Sequence, residues 1–377
     1  MRALALLLVA SPVFADELPA PLQLQVGGYL QPQAGIKHRP SAVPRDRWEY
    51  GVSGSRAGIR LGGEPLGGLF WRLEVVAGTR TVDVVTGAEA VDADGDGQAD
   101  DLVLERQATA TLDVEEATVR YLPTPMFELV FGRLRIPLTL EAASPNTELM
   151  FPDRAGPNEV FLSGPDLGAM AVLHLDVAHT TASVGVWNGT GRETSAGQAR
   201  GLAASARVDW TSDVFPIGDA DFARGGARLG LGAGILYRQS LGFDDAGNDG
   251  AEIRDLRFAG SVRFAALGFY LAGEFLRRQT SDNLSSRTRA ATGAYGQASY
   301  FAPLGPVAVS PVARVGWSRE DEEIAPRETV YLEAGVAFYP SVAKPSRCRI
   351  LAAYVGERRK TEGEDAQGAV LQVQVTF

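Results

Sequence analysis

The chemistry-bearing residues of this chain are mostly arginines placed at alternate positions of apolar stretches. Arg56 and Arg60 alternate with Ala57, Ile59 and Leu61, while Arg72 and Glu74 alternate with Leu69, Trp71, Leu73 and Val75. Arg228 and Arg238 share a face opposite Leu229, Leu231, Ala233, Ile235 and Tyr237, and Arg257 and Arg263 oppose Leu256, Phe258, Val262 and Phe264. Successive side chains of a strand point to opposite faces, so each stretch has one apolar and one cationic side. Arg120, Arg133, Arg135, Arg207 and Arg314 sort the same way, with a parity slip at Gly132 read as a β-bulge. Twelve arginines thus share the polar face with four acids, Glu74, Glu116, Asp209 and Glu274. Such an excess of guanidinium groups favours anions, and their planar fork suits phosphate and carboxylate oxygens. The competing reading is that each arginine only neutralises a neighbouring acid.

Two other constellations carry chemistry. Asp92, Asp94, Asp96, Gln98 and Asp100, with Gly97 at the sixth position, have the spacing of an EF-hand-type calcium loop. The twelfth position is Val103 instead of the bidentate Glu, so Asp101 or Glu105 would have to substitute; the alternative is a solvated acidic loop tip. His174 and Asp176 share one strand face, which leaves a barrel hydrolase as a second class, although no serine is visibly placed to complete a nucleophile–base pair. No cofactor is required by either reading.

Stepping out to the elements, the same alternation recurs about sixteen times, separated by Gly, Pro, Asp and Asn. The connections mostly alternate in length. Arg39–Gly51 and Arg80–Val103 are long and Glu64–Gly67 and Leu122–Pro125 short, while Thr139–Asp166 is the longest. Ser212–Arg224 breaks the rule as an over-long turn. Strands of this kind with one long-loop and one short-turn side predict an all-β transmembrane antiparallel β-barrel. Arginine on a lipid-facing midplane position would cost about 2–4 kcal/mol, so the cationic face must be the lumen. Tyr29, Trp48, Trp71, Tyr121, Trp187, Trp210, Trp317 and Tyr339 lie near strand ends or in the apolar face, where several would form interfacial girdles.

Composition agrees and excludes other classes. The chain has 377 residues, is 45% hydrophobic and carries a formal net charge of −10, the opposite of a nucleic-acid binder. Residues 1–15 read as a secretory signal peptide, with Arg2, an apolar run from Ala3 to Ala10 and the cleavage pattern Val13-Phe14-Ala15. Residues 16–377 then form a single barrel domain. No later stretch offers the roughly 20 apolar residues of a membrane helix. A single Cys348 and three histidines give neither a disulfide nor a zinc signature.

Gly132-Arg133-Leu134-Arg135-Ile136-Pro137-Leu138, then Glu141 and Asn146 to Asp153-Arg154, resembles the phosphate-selective porin O and P family. So do Gly27-Gly28-Tyr29-Leu30-Gln31, Gly164-Pro165-Asp166-Leu167-Gly168 and Val186-Trp187-Asn188-Gly189-Thr190-Gly191. The resemblance implies sixteen strands, a homotrimer in the bacterial outer membrane, and an inward-folded third loop over Thr139 to Asp166. Arg133 and Arg135 match its basic positions leading into that loop, and Phe377 resembles the terminal aromatic read by the barrel-assembly machinery. The chain departs from the family in having only Lys37, Lys344 and Lys360, too few for the lysine cluster of phosphate-specific members. The combined expectation is a non-enzymatic porin in outer-membrane lipid that passes small anions, phosphate or polyphosphate among them. Its pore-lining residues would be Arg56, Arg60, Arg72, Arg133, Arg135, Arg228, Arg257 and Arg263, with calcium in the second external loop. An outer-membrane enzyme and a plugged structural barrel are the alternatives.

Overall fold

The structure, a computed structural model, describes residues 24–38, 48–51, 55–84, 90–91, 101–102, 105–162, 164–176, 179–189, 199–212, 226–243, 249–282, 288–320, 327–360 and 365–377. The expected signal peptide and the acidic run Asp92 to Asp100 lie outside them. Sixteen antiparallel strands follow one another around the barrel. They are β1 (Gln25–Gln31, resuming as Gln33–His38 past Pro32), β2 (Trp48–Gly51 and Arg56–Leu66), β3 (Leu69–Val84), β4 (Glu105–Thr124), β5 (Phe127–Arg135), β6 (Pro165–Leu175), β7 (Thr180–Trp187) and β8 (Ala199–Thr211). The second half comprises β9 (Arg228–Phe243), β10 (Asp249–Ala266), β11 (Phe269–Asp282), β12 (Thr288–Tyr300 with Ala302–Leu304), β13 (Val307–Glu320), β14 (Arg327–Tyr339), β15 (Cys348–Arg359) and β16 (Ala366–Thr376). These are the sixteen expected strands, each within a few residues of its expected place.

Closure removes the unpaired edges that an open sheet would leave. β16 pairs with β1 through Tyr29 opposite Thr376 and Gln33 opposite Gln372. The terminal residue completes the seam, because Phe377 N donates to Gly28 O at 3.0 Å and Gly28 N to Phe377 O at 2.9 Å. Tight turns with positive φ at Gly68, Leu267, Gly268 and Gly305 close one side, as left-handed hairpin positions require. Longer connections occupy the other side, including the segment between Arg135 and Pro165 that carries α1 (Leu140–Ala143) and α2 (Gly156–Phe161).

The two faces sort as the alternation implies. Ile59, Leu229, Leu231, Ile235, Tyr237, Phe258, Val262 and Phe264 are exposed on the outer surface, as a lipid-facing band demands. The girdle expectation needs correction. Trp48, Tyr121 and Trp210 are exposed, but Tyr29, Trp187 and Tyr339 are buried on the inner side. The Trp187 ring packs over Gly185 on its own strand face and donates Nε1 to Ser205 Oγ at 2.9 Å. An indole that finds both apolar cover and an acceptor inside gains nothing by turning outward.

The expected bulge at Gly132 is also corrected. Register runs unbroken through Gly132 on both neighbouring strands, opposite Thr118 and Gly168. The irregularity sits one strand away, between Glu74 and Val75 against Glu116 and Val114, which leaves Glu115 as the extra residue. Gly132 itself adopts φ +123°, and a Cβ there would lie 2.0 Å from the Ala117 carbonyl oxygen. Only glycine tolerates both demands. Gly132→Val is therefore expected to cost about 1–3 kcal/mol from backbone strain alone. A lowered urea midpoint of the refolded barrel measures it, and an unchanged midpoint refutes the constraint.

Candidate functional site

Residues 138–161 are the hub of the inner face. Wall residues on nine strands hydrogen-bond to them, and most of these use a guanidinium. Arg207 on β8 donates to the Leu138 carbonyl at 2.8 Å and Arg257 on β10 to that of Phe161 at 2.5 Å. Arg349 on β15 reaches Leu149 O at 2.7 Å, Arg314 on β13 reaches Asp153 O at 3.0 Å, and Arg56 on β2 reaches Pro152 O at 3.1 Å. Arg135 on β5 donates to Ser144 O at 3.0 Å. Gln31 on β1 and Gln374 on β16 donate to the carbonyls of Asn146 and Thr147. A short, irregular segment leaves most carbonyls without helical or ladder donors, and the wall supplies them.

Apolar contacts seat the same segment at two places. Leu138 and Phe161 join Val130, Val172, Trp187, Leu236 and Leu276 in one buried cluster. Met150 and Phe151 join Phe301, Val312, Tyr339 and Leu351 in another. Gly234 makes the first possible: its missing Cβ would lie 2.3 Å from the Leu138 carbonyl. The small inner residues of Leu229–Ile235 therefore admit the segment's backbone.

Between the clusters lies a buried polar knot. Glu274 accepts from Leu140 N at 2.7 Å, Tyr295 Oη at 3.0 Å and Asn158 Nδ2 at 3.3 Å. Glu141 accepts from Ala155 N at 2.7 Å, Asn158 Nδ2 at 2.8 Å and Arg314 at 3.1 Å. Arg314 also pairs with Glu333 and stacks on Phe151, 4.6 Å from the ring centroid. The Thr139 side chain caps α1 by accepting from Ala142 N at 2.9 Å. Arg154, on the segment, donates to Glu141 O, Ser144 O and Asn146 Oδ1. Burial and the nearby Arg135 lower its pKa to about 10, partly offset by Glu141 and Glu115, so it stays charged at neutral pH.

The expected pore residues divide into two groups. Arg257 belongs to the clasp, buried and paired with Asp255, and Arg56 and Arg135 both hold the segment and meet carboxylates, Asp153 at 2.7 Å and Glu115 at 3.2 Å. Arg60 and Arg72 lie instead on the open part of the wall. Arg60 pairs with Glu74 at 2.8 Å, and Arg72 reaches Glu74 at 3.5 Å and Glu116 at 3.4 Å. Arg133 pairs with Asp113 at 3.3 Å and donates to Val114 O. Arg228 and Arg263 lie half-buried on the inner faces of β9 and β10, toward their short-turn ends.

The expected charge imbalance is smaller than the sequence suggested. Besides Glu74, Glu116, Asp209 and Glu274, the inner face holds Asp113, Glu115, Glu128, Asp255 and Glu333. Asp255 was readable, since it stands two residues from Arg257 on the same strand face, as Glu74 does from Arg72. Glu333 was not, because only the register places it opposite Arg314. His174 Nε2 lies 3.3 Å from Glu128 Oε2, so this histidine belongs to the wall's polar network. Among the described residues no group of three or more His, Cys, Asp or Glu side chains could hold a metal ion.

The two partners of each pair differ in exposure. The Arg72 side chain is 34% exposed above Glu74 at 4%, and Arg120 is 39% exposed above Glu128 at 10%. Arg60, Arg72 and Arg120 line a cavity of about 550 Å³ with Phe70, Trp71 and Glu128 toward the short-turn end. A second cavity, of about 450 Å³, lies between Asp153, Arg154 and Gly156 of the segment and Tyr331, Glu333 and Glu357 of the wall.

No protein-family model matches the chain, and no curated protein matches it. Solved structures do. An anion-selective porin from Comamonas acidovorans superposes with a TM-score of 0.60 at 11% identity, covering 94% of this chain and 99% of that one. The outer membrane channel DcaP of Acinetobacter baumannii gives 0.59 at 11% identity over 94% and 97% of the two chains. OmpF of Salmonella typhi gives 0.57 at 11%, over 94% and 98%. At these identities the likeness is one of fold: this chain has the sixteen-stranded barrel of bacterial outer-membrane porins.

Removing one member of the knot tests the clasp. Arg314→Met leaves Glu141 and Glu333 buried without their cation, at an expected cost of about 3–5 kcal/mol. Pairing it with Glu333→Leu should recover part of that loss in equilibrium unfolding, and strictly additive losses would show that the two groups are not coupled.

Proposed function

We propose that the chain is a passive diffusion porin of the bacterial outer membrane, non-enzymatic, in which residues 138–161 form the inward-folded constriction. The observation that carries this reading is the set of wall residues on β1, β2, β5, β8, β10, β11, β13, β15 and β16 that bond to one short segment. A segment held from all around a barrel narrows the lumen; one cavity opens beside it and the other, toward the short-turn end, is lined by wall residues alone. The clasp fixes the narrowing in place, so solute size is limited by a rigid bar instead of a mobile loop.

The preference we assign is for small anions. Glu74 and Glu128 lie beneath Arg60, Arg72 and Arg120, so carboxylates orient the guanidinium forks while the forks meet the water. An anion passing there exchanges hydration for charge-assisted hydrogen bonds. Because each arginine is partly neutralised, the selectivity is modest, and a dedicated phosphate or polyphosphate site is not what this lattice favours. The Comamonas neighbour is described as anion-selective, in line with this reading. The trimeric form described for OmpT of Vibrio cholerae, at a TM-score of 0.54 and 11% identity over 94% of this chain and 99% of that one, supports a homotrimer, and the paired Phe377 terminus supports delivery through the barrel-assembly machinery.

Planar-bilayer recordings under a salt gradient test the proposal. The wild-type barrel should conduct with a reversal potential displaced toward anions. Substituting Gln for Arg60, Arg72 and Arg120 together should move it several-fold toward cations, and Arg133→Gln with Arg135→Gln should do so more weakly. A barrel that passes no current overturns the porin reading. A current whose reversal potential ignores all five substitutions overturns only the anion assignment.

A further inference from the structure

One row of polar side chains on the outer surface has no place in a permeation mechanism. Arg277, Thr292, Arg319 and Glu328 stand opposite one another in register on β11 to β14, and Lys360, just past β15, donates its backbone N–H to Glu328 O at 3.0 Å. All five positions share the alternation phase of the exposed Phe275, Val315 and Leu332, so they are on the outside. Arg277 donates to Thr292 Oγ1 at 3.1 Å, and Lys360 Nζ lies 2.9 Å from Glu328. The next row toward the short turns holds Phe275, Ala294, Trp317, Val330 and Arg358. Trp317 donates its indole N–H to Glu328 at 2.7 Å, and Arg358 is 77% exposed with only a 3.9 Å approach to Asp365. Below that come Val315 and Leu332, both exposed and apolar.

The surface thus changes from hydrocarbon-compatible to cationic within two rows, with a tryptophan at the boundary. That is where a membrane interface must lie. It is on the long-loop side, because β11, β13 and β15 run toward their long connections there. Among the described residues, four cations, Arg277, Arg319, Arg358 and Lys360, face two carboxylates, Glu328 and Asp365. Among the described residues, Arg319 Nε has no hydrogen-bond partner. An excess of outward cations on an otherwise acidic chain calls for an anionic ligand that sits beside the barrel, not within it.

We propose that this surface of β11 to β15 docks the phosphorylated headgroup of a glycolipid in the long-loop-side leaflet. Arg319, Arg358 and Lys360 grip the phosphate oxygens while the acyl chains lie along Val315, Leu332 and Phe275. Two signals cooperate: apolar burial fixes the depth and charge-assisted bonds select the headgroup. The flanking connections carry Asp321, Glu322, Glu323, Glu362 and Glu364, so divalent cations at millimolar concentration belong in the assay to screen them.

The test uses the full barrel in neutral detergent with millimolar Mg²⁺. Binding of bis-phosphorylated lipid A, counted by native mass spectrometry, should weaken at least tenfold on combining Arg319→Gln, Arg358→Gln and Lys360→Gln. Lys344→Gln with Arg347→Gln, on the short-turn side, should leave it unchanged. Dephosphorylated lipid A should bind the wild type as weakly as bis-phosphorylated lipid A binds the triple variant, and ten-millimolar inorganic phosphate should not compete. Equal binding by wild type and triple variant overturns the site. Displacement by free phosphate overturns the lipid assignment. Because these residues face away from the lumen, unaltered conductance of the triple variant confirms that the barrel is intact and keeps this test separate from that of permeation.

Discussion

Main-chain carbonyls of an irregular segment, satisfied by guanidinium groups projecting from the surrounding wall, are the interaction on which the interior depends. A barrel this wide cannot fill its lumen with its own side chains. The segment over residues 138–161 has no sheet to pair with and no helix long enough to satisfy itself. Arg207, Arg257, Arg314, Arg349, Arg56 and Arg135 resolve that problem, each donating to a carbonyl between Leu138 and Phe161. Arginine suits the task better than lysine, since its rigid fork can serve a carbonyl and a carboxylate together. Arg314 does so with Asp153 O, Glu141 and Glu333.

The wall arginines consequently do two kinds of work. Arg207, Arg257, Arg314 and Arg349, on β8, β10, β13 and β15, are buried and consumed by the clasp. Arg60, Arg72 and Arg120, on β2, β3 and β4, pair with carboxylates less exposed than themselves. The same residue type on the same strand face is therefore either buried against the segment or left facing open space, according to whether the segment packs over it. Apolar packing draws the line between them. Where Leu138 with Phe161 and Met150 with Phe151 press on the wall, water is excluded and guanidinium groups turn to carbonyls. Where they do not, a cavity remains beside Arg60, Arg72 and Arg120.

The outside obeys a different solvent. There the sidedness of short turns and long loops, the apolar band and the row from Arg277 to Lys360 all answer to a layered medium of hydrocarbon bounded by charged headgroups. The inner and outer faces are written in alternate residues of the same strands, so Arg314 and Val315 are neighbours in sequence with opposite partners: Glu141 and Glu333 for one, lipid for the other.

By itself the sequence determined the strand count, the antiparallel order, the sidedness of the connections and which face of most strands is apolar. All of these follow from a period of two and from turn chemistry, which are local. It also placed Arg56, Arg60, Arg72, Arg207, Arg257 and Arg314 on the inner face. Only the tertiary structure decided what those arginines touch. Glu333 meets Arg314 through register between strands, Asn158 joins Glu141 to Glu274 by donating to both, and Trp187 turns inward because Gly185 and Ser205 receive it. Pairing across a barrel joins residues that no local pattern relates, and so the charge balance of the inner face was settled by the fold.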